Sequence, residues 1–199
     1  YECVTTDALH AHRSEYDVVL YMHSRGTTHI HNSTADRCAD DWTQMMEYVL
    51  ITNWRYAVWR IAQGANTAGA ELCSHSSHLG SDLPHVYHYS GSFFWASSAY
   101  LATLSSPSVL VRRVPPAKQT AVRYLCSEDW LFDGITPDRL NFDKFAVLHY
   151  TGVRMGARGR IHSYKDRYPP EYYVCPSTPR PGPTSSAVAA HGKPWWMQA

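Results

Sequence analysis

The strongest periodic signal in the chain is an apolar stripe. Trp42, Met45, Met46, Val49 and Leu50 recur at helical spacing, and Trp54, Ala57, Val58 and Ile61 continue it. This spacing predicts one amphipathic helix, or two with a restart near Thr52, ending before Gly64. Asp40 and Asp41 stand near its start, where carboxylates suit the helix dipole. Ahead of it, Thr5 to Tyr16 reads as a short helix capped by Thr5 or Thr6. Asp17-Val18-Val19-Leu20-Tyr21-Met22 has the β-branched, apolar character of a buried strand. That strand runs into the polar turn His23-Ser24-Arg25-Gly26, the place where open α/β sheets put ligand-binding groups.

Further along, Thr67 to Cys73 predicts a short strand followed by a loop to Pro84. Phe93 to Leu104 reads as extended and then helical, with Ser97 or Ser98 as the cap. Pro107, Pro115 and Pro116 bound a connector, and Ala117 to Phe132 reads as a helix carrying Glu128 and Asp129 and closed by Gly134. Phe145-Ala146-Val147-Leu148-His149-Tyr150 predicts a second buried strand. Two apolar runs alternating with amphipathic helices predict an α/β fold with both strands in one sheet under the Trp42–Ile61 helices. Residues 1–175 form the expected domain. From Pro176 to Ala199 the chain holds five of the twelve prolines and no acidic residue, the composition of a disordered tail.

Totals narrow the classes. A chain of 199 residues, 44% hydrophobic and 18% charged, is sized for one globular core. The net charge of +1 gives no electrostatic basis for binding nucleic acid. No apolar run reaches the roughly 18 residues of a membrane helix. The five cysteines are odd in number, widely spaced and without C-x-x-C, which predicts neither a disulfide framework nor a cysteine zinc site. Twelve histidines include the pairs His29/His31, His75/His78 and His85/His88, spacings that chance also supplies. Asn32-Ser33-Thr34 is a short sequon match. The opening Tyr1-Glu2-Cys3, without Met, is expected of a piece of a longer protein.

Candidate chemistry gathers around one word, His88-Tyr89-Ser90-Gly91-Ser92-Phe93-Phe94-Trp95-Ala96. Gly91 lets the backbone adopt positive φ or approach a ligand closely, and the aromatics behind it can wall a pocket. In an extended segment Phe93 and Trp95 share one face and Phe94 takes the other. Glu128 and Asp129 supply carboxylates able to take a proton from a hydroxyl. Adjacent helical positions point about 100° apart, so one of the two does so; Asp129 is the favoured base, with Glu128 bonding the hydroxyl-bearing molecule or the Gly91 loop.

With these words in place, the chain resembles a group of glycosyltransferases with a GT-A-like, Rossmann-like nucleotide-sugar fold. Tyr21-Met22-His23-Ser24-Arg25-Gly26 is similar to a family Y-x-H-[ST]-[KR]-G, and the Gly91 word to H-[FY]-S-G-N-F-W-W-A. The Trp42/Met46/Tyr48 helix and the glutamate two residues before Trp130 also match, so the likeness spans residues 1–173. It implies a mixed sheet flanked by helices that lacks the N-terminal part of the fold. The implied activity moves a sugar from a nucleotide-sugar donor to the hydroxyl of a glycan acceptor, as in polysaccharide synthesis.

By the same resemblance, Asp129 and Glu128 are the catalytic carboxylates. His23, Arg25, Gly26, His88, Ser90, Gly91, Ser92 and Trp95 bind donor or acceptor, and His149 is a ligand to a divalent metal, Mn or Mg. The family's D-x-D metal motif is missing, because Asp40-Asp41 lies in a helix and Asp36 stands alone. His23 and Arg25 are then expected to hold the phosphates, Arg through its paired hydrogen bonds. The compartment stays open between cytoplasm and Golgi lumen. Two other readings stand beside transfer: a non-catalytic carbohydrate-binding remnant, and a metal-binding module built on the histidine pairs.

Overall fold

The structure is a computed structural model that describes residues 2–23, 34–75, 86–112, 126, 129–135, 139–149, 168, 170 and 173. The six strands are β1 (Val18–Tyr21), β2 (Thr67–Ala70), β3 (Leu72–His75), β4 (Val86–Tyr89), β5 (Phe94–Ser97) and β6 (Phe145–His149). The helices are α1 (Glu2–Ala11), α2 (Thr34–Glu47), α3 (Trp54–Ala62), α4 (Ser98–Leu101) and α5 (Pro107–Arg112). A four-stranded mixed sheet in the order β1-β5-β2-β6 forms the centre, and β3 and β4 make a separate hairpin-like pair. The expected α/β class, with both apolar runs in one sheet, is what the chain folds into. The expected tail, 176–199, lies outside the described residues.

Strand direction sets up everything that follows. β5 runs antiparallel to both β1 and β2, while β2 and β6 are parallel. The carboxyl ends of β1, β2 and β6 and the amino end of β5 therefore meet at one end of the sheet.

Each face of the sheet has its own cover. On one face Leu20, Ala68, Ala70, Ala146, Leu148 and Trp95 pack against Trp42, Met45 and Met46 of α2, with Val49, Leu50 and Ala57 beyond. The alanines of β2 and β6 are small enough to admit the bulky α2 stripe at close range. On the other face Tyr21, Phe94, Ala96, Phe145 and Val147 meet Tyr100, Leu101, Leu110 and the Trp130–Phe132 turn. Phe93 falls with the α2 side and Phe94 with the other, the alternation expected of an extended segment. Strands β2 and β6 are buried along their whole length, as a parallel pair covered on both faces requires.

The stripe that predicts one helix or two gives two, joined by a π-helical turn at Tyr48–Thr52. Asn53 closes it, sending its main-chain N–H and its Nδ2 to the Tyr48 carbonyl at 3.1 and 3.0 Å. Within the turn, the indole N–H of Trp95 donates to the Leu50 carbonyl at 2.8 Å. A side chain bonding into the helical ladder is one of the usual causes of such a widened turn.

The remaining differences from sequence expectation have local causes. The predicted strand Thr67–Cys73 is broken at Glu71, whose φ is 53°. One left-handed residue inverts the alternation: Ala70 faces α2, yet Leu72 falls on the opposite side. Pro107 starts helix α5 instead of bounding a connector; its missing N–H costs nothing at the first helical position. The next N–H, that of Ser108, goes to Asp7 Oδ1 at 3.0 Å. Of the predicted helix 117–132, the described part ends in a single tight turn, Trp130–Phe132, with Gly134 at φ 73° after it.

The cysteine reading needs correction. Cys3 and Cys126 form a disulfide across 123 residues, with Cα atoms 4.8 Å apart. Sequence spacing is silent on which cysteines a fold brings together. Here α1 lies against the Trp130 turn, with His10 edge-on to the Trp130 ring at 6.1 Å, and Cys126 precedes that turn by four residues. Cys38 on α2 is fully buried.

Candidate functional site

The shared end of the sheet gathers two groups of side chains. The first surrounds β1 and β5. His23, two residues past β1, bonds through Nε2 to the Gly91 carbonyl at 2.8 Å. A carbonyl only accepts, so this imidazole carries its proton on Nε2. The ring also stands edge-on to Phe93, 4.8 Å between centroids. Gly91 sits at φ 76° in the turn Ser90–Ser92 that feeds β5, a conformation in which glycine carries no Cβ penalty. Ser92, buried, continues at φ 59°. Beside this group lies a shallow apolar groove lined by Leu20, Met22, Met46, Leu50, Ile51 and Phe93, with Glu47 at its margin.

The second group surrounds β2 and β6. Glu71 follows β2 directly, is 9% exposed, and donates its main-chain N–H to the His149 carbonyl at 2.9 Å. His149 is 4% exposed, and its Nε2 meets the Tyr168 hydroxyl at 2.7 Å. Burial pulls the imidazole down to a pKa of about 4, because a buried cation loses hydration, so the ring is neutral at pH 7. Burial raises the Tyr168 hydroxyl well above the ordinary phenol range, with smaller contributions from Glu71 and Tyr173. A protonated phenol therefore faces a neutral imidazole. Tyr168 is fastened again by its main-chain N–H, which donates to Asp41 Oδ2 at 2.8 Å. Tyr173 packs on the Tyr168 and Tyr48 rings, each at 5.6 Å. Three strand spacings, on the order of 14 Å, separate β1 from β6 across this end of the sheet.

The sequence-derived candidates divide accordingly. His23, Gly91 and Ser92 come together, and His149 shares their end of the sheet. Trp95 is committed to the Leu50 carbonyl on the α2 face, which makes it a packing residue of that layer. His88 is half-buried on β4, opposite Cys73 in the register, and only the backbone of Ser90 is described. Arg25, Gly26 and Glu128 lie outside the described residues. Asp129 is 5% exposed at the head of the Trp130–Phe132 turn. Phe132 of that turn stands 5.2 Å from the Tyr89 ring, and Tyr89 leads directly into Ser90–Ser92.

Among the described residues the fit for a metal is poor. Among the described residues no three His, Cys, Asp or Glu side chains are disposed to hold an ion, and His149 Nε2 is engaged by Tyr168. Glu71, Asp41 and Tyr168 were missed in the sequence. Asp41 reads there as a helix-dipole charge, and the available signal for Glu71 is an acid placed directly after the small apolar run Thr67-Ala68-Gly69-Ala70.

No helix among the described residues is long and apolar enough to cross a membrane. Neither known family models, nor characterised proteins, nor solved structures match this chain.

Proposed function

We propose that the chain carries the ligand-binding end of a GT-A-like glycosyltransferase, which moves a sugar from a nucleotide-sugar donor to an acceptor hydroxyl. One observation carries this reading: the carboxyl ends of β1, β2 and β6 meet the Gly91 turn at a single end of the sheet. This is the position where open α/β folds bind nucleotides. His23 and Ser90-Gly91-Ser92, which belong to the words that resemble the family, stand at that end.

In this reading His23 holds the Gly91 turn in shape, and Arg25 takes the diphosphate. The acceptor oxygen attacks the anomeric carbon and the bond from that carbon to the diphosphate breaks. The acceptor proton passes to the Asp129 carboxylate, and the nucleoside diphosphate leaves. Disulfides persist in oxidising compartments, so Cys3–Cys126 supports a lumenal setting over the cytoplasm. Carbohydrate binding without transfer is the second reading. It is favoured by the commitment of His23 and Trp95 to main-chain carbonyls, which spends polar groups on shape.

Titration with uridine, guanosine and cytidine nucleotide sugars, alongside turnover with glycan acceptors, separates the two. Asp129→Asn should leave donor affinity nearly unchanged and slow transfer by about 10²–10⁴-fold, the usual worth of a general base. Full turnover in that variant removes Asp129 as the base. Binding with no turnover in the wild type selects the second reading.

A further inference from the structure

The two edges of the four-stranded sheet differ. β6 closes one edge and is buried at all five positions. β1 forms the other: among the described residues it pairs with β5 alone, and Val18, Val19 and Leu20 are half-buried. Tyr16 just before it is 64% exposed, and Met22 just after it 43%. An edge strand is a template for a further strand, and native proteins blunt it with Lys, Pro, a bulge or a cover. From Tyr16 to Met22 there is no Lys, Arg, Pro or Gly, and the pairing with β5 runs in unbroken register.

Main-chain direction along β1 decides which strand fits. The Ser98 N–H donates to the Asp17 carbonyl at 2.9 Å, and the register places Val18 opposite Ser97. Asp17 and Ser98 are therefore a hydrogen-bonding pair, and by antiparallel alternation Val19 and Tyr21 also turn their N–H and C=O toward β5. Val18 and Leu20 turn theirs to the open edge. A second β1, laid antiparallel with Val19 opposite Val19, satisfies them: Val18 of each copy exchanges both bonds with Leu20 of the other. The same register is complementary in side chains. Val18 meets Leu20, and Tyr16, extended at φ −139° and ψ 154°, comes opposite Met22, so the exposed apolar residues flanking the strand cover each other. Asp17, the one charge in the span, comes opposite Tyr21, so no like charges face. A strand that is its own complement under a two-fold axis is what an isologous interface requires. We propose that the occupant of this edge is a second copy of the chain, and that two four-stranded sheets join into one through β1 of each. The pairing is independent of the sugar-transfer reading.

Analytical ultracentrifugation of the whole chain at tens of micromolar, together with cross-linking under mild oxidation, tests the pairing. Wild type should sediment at twice the mass of one chain. Val18→Pro removes an outward N–H without touching the β5 ladder. It should weaken association by roughly 10–30-fold, one main-chain donor being lost from each copy. Val19→Cys places two sulfurs across the axis with Cα atoms about 4.5 Å apart, within disulfide reach, and should cross-link to a dimer. Phe142→Cys, exposed and three residues before β6 on the opposite edge, should not. The cross-link decides the matter where Val18→Pro impairs folding. A monomeric wild type, including one that takes up an extended peptide instead, overturns the proposal. So does a dimer that survives Val18→Pro and leaves Val19→Cys uncrosslinked.

Discussion

His149 makes the stability of this fold depend on pH in a direction that can be worked out. Its ordinary pKa of 6.5 falls to about 4 in the folded chain because burial disfavours the imidazolium. Above pH 6.5 the ring is neutral in both states and contributes nothing to the pH dependence. Between 6.5 and about 4 the unfolded chain takes up a proton that the folded chain refuses, so stability falls as the pH falls. Each pH unit of a full window is worth about 1.4 kcal/mol, and the whole window therefore costs about 3 kcal/mol. Against a typical total of 5–15 kcal/mol, that is a large share. Urea unfolding at half-unit steps from pH 7.5 to 4, for wild type and His149→Gln, isolates the effect. Every other titrating group cancels in the difference between the two curves. Wild-type stability should fall about 3 kcal/mol further than that of the variant across the window, with the curves parallel above pH 6.5. Parallel curves throughout would show that His149 is not buried as a neutral ring against Tyr168.

Further predictions rest on packing. Serine at both Cys3 and Cys126 opens a loop of 123 residues, and the chain-entropy relation puts the loss at about 5 kcal/mol; identical denaturation midpoints with and without reductant would contradict the bond. A Cβ at Gly69 would stand 2.3 Å from the Tyr89 ring, whose hydroxyl bonds Thr67 Oγ1 and the Ala146 carbonyl at 3.0 Å each. Gly69→Ala should therefore cost about 1–3 kcal/mol by overpacking, and an unchanged thermal midpoint would refute that contact. Trp95→Phe should cost about 1 kcal/mol for the lost bond to the Leu50 carbonyl, read by denaturant unfolding; an unchanged midpoint at an unchanged m-value would contradict that bond.

What was legible in the sequence was periodic or chemical. The Trp42–Ile61 stripe, the apolar runs of β1 and β6, the Ser97 cap and the placing of Phe93 and Phe94 on opposite faces follow from spacing alone. The cap is seen as Tyr100 N–H donating to Ser97 Oγ at 3.2 Å. What stayed hidden depends on contacts between distant segments. The Cys3–Cys126 bond needs α1 to lie beside the Trp130 turn, and no spacing rule encodes that. Pro107 reads equally as a stop or as a first helical residue until Asp7 is placed beside Ser108. Glu71 shows in the sequence only as an acid after a small apolar run; that the chain there leaves one sheet for the β3–β4 pair is not written in those letters. At the site, the word containing Gly91 was visible, whereas the Glu71, His149 and Tyr168 group forms only when β6 pairs with β2.

The central claim is that one end of the sheet binds a nucleotide sugar, and amide chemical-shift mapping during titration with such a ligand tests it most directly. The account predicts saturable changes at His23, Gly91, Ser92, Glu71 and His149. It predicts little change at Val18, Thr67, Ser97 and Phe145, the opposite ends of the same strands. Saturable changes confined to those opposite ends, or none anywhere with any nucleotide sugar, would contradict it.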